Sequence, residues 1–196
     1  MASKYVALPK GVSEKAFDAA MREFRDILGE ANVFTDAEHL VSYSKIMIPD
    51  ATENHQASAA ICPASTEAVQ RCVAVCNKYK VPVWPISTGR NLGYGSAAPG
   101  SRGQVVMDLR RMNKIIEVDP DLCTALVEPG VTFQQLYDYL QEHKIPLWLS
   151  CPAPSSIAGP LGNAADRGVG YTPYGEHFMF TCGMEVVMPI GEVLKT

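Results

Sequence analysis

The run Pro85-Ile86-Ser87-Thr88-Gly89-Arg90-Asn91-Leu92-Gly93-Tyr94-Gly95-Ser96 brings three glycines, an arginine, an asparagine and hydroxyl side chains into one stretch. Glycine lets a backbone take positive φ and approach a ligand closely. Successive turn N–H groups form a concave nest for an anion, and a guanidinium offers a fixed fork of donors that matches phosphate. Residues Ser87 to Asn91 therefore read as a diphosphate cradle, held mostly through backbone N–H groups. The spacing of Gly89, Gly93 and Gly95 is not the G-x-G-x-x-G of the Rossmann fingerprint. The same run also reads as a Gly-rich surface turn beside a solvated arginine, and on the residues alone both readings stand.

Other stretches carry related chemistry. Gly159, Pro160 and Gly162 surround Ile157 and Leu161 in the segment Ala153 to Asn163, a backbone able to lie flat against a planar ring. Asp166 to Gly175 holds Arg167, Gly168, Gly170, Tyr171 and Gly175, and reads either as a functional loop or as a long irregular connection. Pro129-Gly130 reads as a strand-to-helix connector. Tyr94, flanked by Gly93 and Gly95, presents a phenol O–H that can stabilise a phenolate oxygen, although most tyrosines are amphipathic packing residues. His55 and His177 are lone histidines, supporting residues at most. Cys72 and Cys76 stand four apart beside Val69 and Val73, without a second ligand pair, so buried thiols are expected and a metal site is not. No Ser-His-Asp set stands at a known spacing, and Glu14/Asp18 fall on a solvated helix face.

The elements that position these residues alternate. Ser13 caps a helix expected over 14–28, with Phe17, Ala20, Met21, Phe24, Ile27 and Leu28 on one face and Gly29 as its stop. A polar region with little periodicity covers 32–56. A strand over 58–62, a helix capped by Ser65 or Thr66 and running to Tyr79, and a buried strand over 81–86 make a β-α-β unit. The Gly-rich run leaves its carboxyl edge, where ligands tend to bind. Strands are expected over 104–109, 114–118 and 124–128. A helix then opens at Thr132 with a capping box to Gln135, and Phe133, Leu136, Tyr137 and Leu140 line its apolar face. A short strand over 147–149, a loop passing into a helical turn over 157–167, and a hairpin over 184–195 whose return strand is cut short complete the pattern.

The motifs ISTGRNLGYGSAAP, ALVEPGVTF, APSSIAGPLGN and DRGVGYTPYGEHFM, in this order and spacing, closely resemble the FAD-binding domain of the vanillyl-alcohol oxidase/p-cresol methylhydroxylase family. The resemblance extends to ALPKGV at Ala7 to Val12 and SKIMIP at Ser44 to Pro49, so it covers essentially the whole chain, and it points to the branch of hydroxylating 4-cresol dehydrogenases. It implies an α+β fold of two subdomains with FAD extended between them, divided as a helical segment 1–57, a first subdomain 58–102 and an incomplete second subdomain 103–196. It also implies that the chain is the N-terminal part of a longer enzyme. Ile86, Ser87, Thr88, Gly89, Arg90, Asn91 and Gly93 are then expected around the FAD diphosphate. Pro129, Gly130, Ile157, Gly159, Gly162, Asn163, Arg167, Gly168, Gly170, Tyr171 and Gly175 are expected against the rest of the cofactor, and Tyr94 on the substrate phenolate.

The implied reaction is oxidation of a small para-alkylphenol. Hydride leaves the benzylic carbon for the flavin, water adds to the quinone methide, and electrons pass to a c-type cytochrome subunit. Oxidases of the family, which use oxygen, resemble Pro-Asp-Leu-Gly-Gly-Gly-Ser beside the flavin. Here 152–160 carries no carboxylate, which favours the dehydrogenase over an oxidase. An FAD-binding fragment without activity is the third reading, and an oligomer is expected for the longer protein.

Composition bounds the remaining classes. The chain has 196 residues, 47% hydrophobic and 19% charged, with a formal charge of −4. No basic stripe suggests a nucleic-acid partner, and no apolar run approaches the roughly 18 residues of a membrane span. The start, Met1-Ala2-Ser3-Lys4, has no apolar region of a signal peptide. Cys62, Cys72, Cys76, Cys123, Cys151 and Cys182 fit a reducing compartment. A c-type cytochrome partner fits the periplasm, so the compartment stays open.

Overall fold

Alternation along two short strands sets the architecture. Side chains of β2 (Ala59–Ile61) and β4 (Val105–Asp108) go in turn to opposite faces of a sheet, and every one of them is buried. The computed structural model describes residues 3–46, 48–90, 96–152, 155–171, 173 and 175–196. With β1 (Val33–Phe34) and β3 (Val83–Ile86), these strands form a sheet of order β1-β2-β4-β3. β4 runs parallel to both β2 and β3, and β1 is antiparallel to β2.

Both faces are covered, as strands rich in apolar residues on each side require. Ala59, Ile61, Val105 and Met107 pack beneath α1 (Glu14–Leu28) and α3 (Thr66–Tyr79), against Phe17, Met21, Phe24, Cys72 and Cys76. Ala60, Val106 and Ile86 face the other way, against Leu40 at the end of α2 (Ala37–Leu40) and Tyr43 in the 3-10 turn that follows. The helix ends follow the sequence closely. Ser13 accepts from the Ala16 N–H, and Gly29 at φ +82° ends α1 by donating to the Arg25 carbonyl. Ser65 caps α3, which closes at Lys80 in the left-handed region.

The rest of the chain forms a ribbon of β5 (Ile115–Asp119) and β6 (Thr124–Val127), then α4 (Phe133–Glu142) behind its capping box, then α5 (Pro160–Ala165). A second ribbon pairs β7 (Glu185–Val187) with β8 (Val193–Lys195). It lies against α3: Thr66 donates to Glu185, Gln70 to the Gly191 carbonyl and Asn77 to the Pro189 carbonyl.

Several expectations change. The strand before the Gly-rich run is not a buried one: it starts at Val83, lies at the sheet edge and buries only Ile86. The edge is where Pro85, which lacks a ladder N–H, is tolerated. No strand forms over 147–149, where Trp148 is 97% exposed. Tyr137 is half exposed rather than part of the apolar face of α4. The polar region 32–56 contains β1, α2 and 3-10 turns. Boundaries at 57/58 and 102/103 cut through the four-stranded sheet, because β1 precedes the first, β4 follows the second, and both pair with β2. Cys62, Cys72 and Cys76 are buried, with Cys72 and Cys76 pushed up to about 12 by burial, whereas Cys123, Cys151 and Cys182 are exposed. Among the described residues no helix is long and apolar enough to cross a membrane.

Two polar contacts tie together segments around the sheet. Asp108, 2% exposed at the end of β4, accepts from the Tyr43 hydroxyl at 2.7 Å and from Arg110 Nε at 2.8 and 2.9 Å. Removing Asp108 leaves the buried Tyr43 hydroxyl without its acceptor and the half-exposed Arg110 without its carboxylate. Asp108→Ala is expected to lower stability by about 3 kcal/mol in urea unfolding, well beyond Tyr43→Phe at about 1 kcal/mol.

His55 is buried, with Nδ1 2.8 Å from the Pro99 carbonyl and Nε2 2.8 Å from the Asp50 carboxylate. Both partners only accept, so the imidazolium satisfies them together. The Pro99 carbonyl first, then Asp50, raise the His55 pKa against the opposing effect of burial. A raised folded value means that this contact stabilises fully below the ordinary histidine value of about 6.5 and is lost as pH rises through the raised one. The stability difference between the wild-type chain and His55→Gln should therefore shrink as pH is taken from 6 to 9, read by thermal unfolding.

Candidate functional site

The parallel strands β3 and β4 end side by side, and the segments that leave them diverge around a cleft of about 250 Å³. Thr88 and Arg90 enter it from the end of β3 and Arg110 from the end of β4. Gly130, Thr132, Gln135 and Ile157 face them from the second half of the chain, with Asn113 beside. Crevices outside the carboxyl ends of parallel strands are the common ligand sites of such sheets.

Close backbone packing makes the walls. Ser87 donates its hydroxyl to the Pro129 carbonyl, joining the Gly-rich segment to the Pro129-Gly130 turn. A Cβ on Gly159 would lie 2.9 Å from both Ser87 Oγ and the Val131 carbonyl, and one on Gly162 would lie 3.1 Å from Ser87 Cβ. Gly89 has φ +65°, a conformation that suits glycine, and its hydrogen faces Ala97 where a Cβ would come within 2.8 Å. Segments 87–90, 129–131 and 159–162 thus meet closely, because glycine leaves room for the Ser87 side chain and the Val131 carbonyl.

The charge in the cleft comes from arginines. At the start of α4, the Phe133, Gln134 and Gln135 N–H groups donate to the Ala158 carbonyl, the Ser156 carbonyl and Thr132 Oγ1. These amides are spoken for, so an anion is met by the guanidinium groups of Arg90 and Arg110 instead. Arg110 is held by Asp108, with its Nη2 also 3.1 Å from the Tyr43 hydroxyl. The carboxylate and the phenol keep it charged and fixed in direction.

A second group of expected residues adjoins the first through α5. Gly162 touches Ser87, and its neighbour Asn163 meets His177, whose Nδ1 is 2.5 Å from Asn163 Oδ1 and whose Nε2 is 2.8 Å from Ser150 Oγ. Gly168 donates to the Asn163 carbonyl at 2.7 Å, and Gly170 to the Gly175 carbonyl at 2.7 Å. Arg167 lies over the Phe178 ring at 5.2 Å, and Tyr171 is 91% exposed. Burial lowers the His177 pKa, which keeps its ring neutral.

The sequence expectations divide accordingly. Ser87, Thr88, Gly89, Arg90, Pro129, Gly130, Ile157, Gly159 and Gly162 come together around the cleft. Asn163, Gly168, Gly170 and Gly175 form the adjoining group, with Arg167 and Tyr171 at its surface. Ile86 turns into the core beside Ala60 and Val106, so its side chain is withdrawn from the cleft. Asn91, Gly93 and Tyr94 lie outside the described residues. Arg110 and Asn113 carried no sequence signal that distinguished them, whereas Thr132 and Gln135 were visible as a capping box without hinting at a cleft. Among the described residues, no group of three or more His, Cys, Asp or Glu is placed to hold a metal.

These residues fit an extended dinucleotide. Two guanidinium groups line the cleft, and glycine at 130, 159 and 162 lets the surrounding segments pack closely, its open face filled by Leu109 and Arg110, by Val131 and by Ser87. The sequence profile of a family described as an FAD binding domain matches residues 57–196. The chain is 58% identical to the 4-cresol dehydrogenase [hydroxylating] flavoprotein subunit of Pseudomonas putida over 96% of its own length and 36% of that protein. It superposes on p-cresol methylhydroxylase crystallised with substrate at a TM-score of 0.95 and 57% identity, covering 97% of this chain and 37% of the other. The 4-ethylphenol oxidase of Gulosibacter chungangensis gives a TM-score of 0.91 at 40% identity, covering 96% and 36%. The chain thus spans about a third of the length of these relatives. With cleft, arginines and glycine-lined walls all in the segments that match, the chain belongs to the FAD binding domain family, in its vanillyl-alcohol oxidase/p-cresol methylhydroxylase type.

Proposed function

We propose that this chain provides the FAD diphosphate site of an enzyme that oxidises para-alkylphenols such as 4-cresol at the benzylic carbon, passing electrons to a c-type cytochrome subunit. The observation that carries the reading is the cleft at the ends of β3 and β4, which Arg90 and Arg110 line together with Gly130, Thr132, Gln135 and Ile157. The substrate class is supported by the identity to the 4-cresol dehydrogenase subunit and the superposition on substrate-bound p-cresol methylhydroxylase.

Bound FAD supplies the two-electron acceptor that side chains do not provide. The residues of this chain bind and orient. Arg90 and Arg110 neutralise the diphosphate, and the Ser87–Gly159 contact holds the walls at a fixed spacing. Tyr94 donates a hydrogen bond to the substrate phenolate, which favours the charged form and pushes electron density toward the para carbon. Loss of hydride from the benzylic carbon attached there leaves a quinone methide, and addition of water gives the 4-hydroxybenzyl alcohol. Residues 151–160 carry no carboxylate, which supports a cytochrome rather than oxygen as acceptor.

The test is the absorption spectrum of the purified chain with FAD, before and after desalting, then with 4-cresol under anaerobic conditions. A flavin band that survives desalting and bleaches with 4-cresol supports both cofactor and substrate. A band that is lost at low salt counts against the cofactor site, and one that is retained but unbleached counts against a complete substrate site in this chain. Arg90→Ala should weaken FAD binding about tenfold and flatten its salt dependence, measured by fluorescence titration. Reduction of cytochrome c without oxygen uptake would separate the dehydrogenase from an oxidase.

A further inference from the structure

His177 joins three segments that are far apart in sequence. Ser150 lies between α4 and α5, Asn163 lies on α5, and His177 opens the 3-10 turn His177–Phe180 after the Gly-rich stretch. The stretch is closed by pairing of Val169 with Glu176 and by the Gly170 N–H to Gly175 carbonyl bond.

With Asn163 Oδ1 turned to the ring, the hydrogen bonds assign one tautomer to a neutral His177. Asn163 Oδ1 only accepts, so His177 Nδ1 carries the proton. Nε2 is then an acceptor, and the Ser150 hydroxyl donates to it. Tautomer and carboxamide are coupled: the Nδ1–H ring goes with Asn163 Oδ1 facing it, and the Nε2–H ring would go with a flipped carboxamide. Asn163 Nδ2 is thereby laid over Gly168, where a Cβ would come within 2.0 Å. Gly170 is pressed as closely: a Cβ there would lie 2.4 Å from Ser150 Oγ and 2.7 Å from His177 Nε2. Gly170 is therefore required by the contact that His177 makes, and Gly168 by Asn163, whose carbonyl also lies 2.8 Å from such a Cβ.

We propose that His177 is a positioning residue of the cofactor site: as the Nδ1–H tautomer it locks Asn163 and Ser150, and so clamps Gly168 and Gly170 to the wall that carries Gly159 and Gly162. The role rests on the FAD reading above. The wall and the clamp share α5, since Gly162 touches Ser87 of the cradle while the next residue, Asn163, is the one His177 holds. Releasing the clamp frees the turn beside the wall and lets the wall shift against the cradle.

Asparagine places its NH₂ close to the position of Nδ1, whereas phenylalanine keeps the ring and removes both nitrogens. His177→Asn should hold FAD within about twofold of the wild-type chain, and His177→Phe should lose about tenfold in affinity. In a double-mutant cycle, adding Asn163→Leu to His177→Phe should cost little more, because both remove the same contact. The clamp is also read without cofactor. The ¹⁵N shifts of His177 should report the neutral Nδ1–H tautomer, and hydrogen exchange at the Gly168 and Gly170 amides should quicken in His177→Phe. Equal loss in the Asn and Phe variants, additive losses in the cycle, or an Nε2–H tautomer would overturn the proposal. Wild-type chain that shows the tautomer and the protected amides but does not hold FAD would overturn the cofactor reading, and with it the role of the clamp in binding, while leaving the contact itself in place.

Discussion

No side-chain atom fits between the end of β4 and the turn before α4. A Cβ on Gly130 would lie 2.6 Å from the Leu109 carbonyl and 2.7 Å from Arg110 Cα, and the Gly130 N–H donates to the Met112 carbonyl at 2.7 Å. This backbone-on-backbone joint sets the distance between the sheet and everything that follows it. Thr132, Gln135 and the start of α4 follow Gly130 directly, and α4 in turn anchors 156–158 through its first amides. The width of the cleft therefore depends on a contact that only glycine allows, and the arginines act on whatever space it leaves.

Charge in the cleft is governed by a similar economy. The chain is net acidic, and an acidic surface alone would repel a dinucleotide. Arg110 overcomes this locally because Asp108 and Tyr43 stiffen it from behind, although the Asp108 carboxylate offsets part of its attraction for an anion. Arg90 is exposed and has no such carboxylate behind it among the described residues. One group supplies direction and the other attraction, a division suited to a ligand that must be both captured and oriented.

Much of this was legible in the sequence, for local reasons. α1, α3 and α4 carry their own punctuation, and Ser13, Gly29, Ser65 and the Thr132–Gln135 box are read within a few residues of where they act. The glycines of the cradle and of 159–162 were legible because close approach leaves a compositional trace. What failed depended on distant partners. Val33–Phe34 becomes a strand only because β2 offers an edge, and Leu147 to Leu149 stays irregular for want of one. Arg110 is distinguished from Arg111 only by Asp108 and Tyr43, and Arg111 instead donates to the Cys62 carbonyl. His177 gained its role from Ser150 and Asn163, neither of which is adjacent in sequence.

The strand order has a consequence for the chain as it leaves the ribosome. β2 and β3 are made first, with α3 between them, yet they do not pair with each other; β4 is the strand that lies between them. Until residues 105–108 emerge, the nascent chain holds two strands separated by an open slot, each with unmet N–H and C=O groups along it. The central strand therefore arrives last and inserts, a non-local closure of the kind that folds slowly. Any nascent or cleaved form that ends before β4 would expose those strand edges to other chains, which makes the interval before residue 108 the period of greatest risk of aggregation.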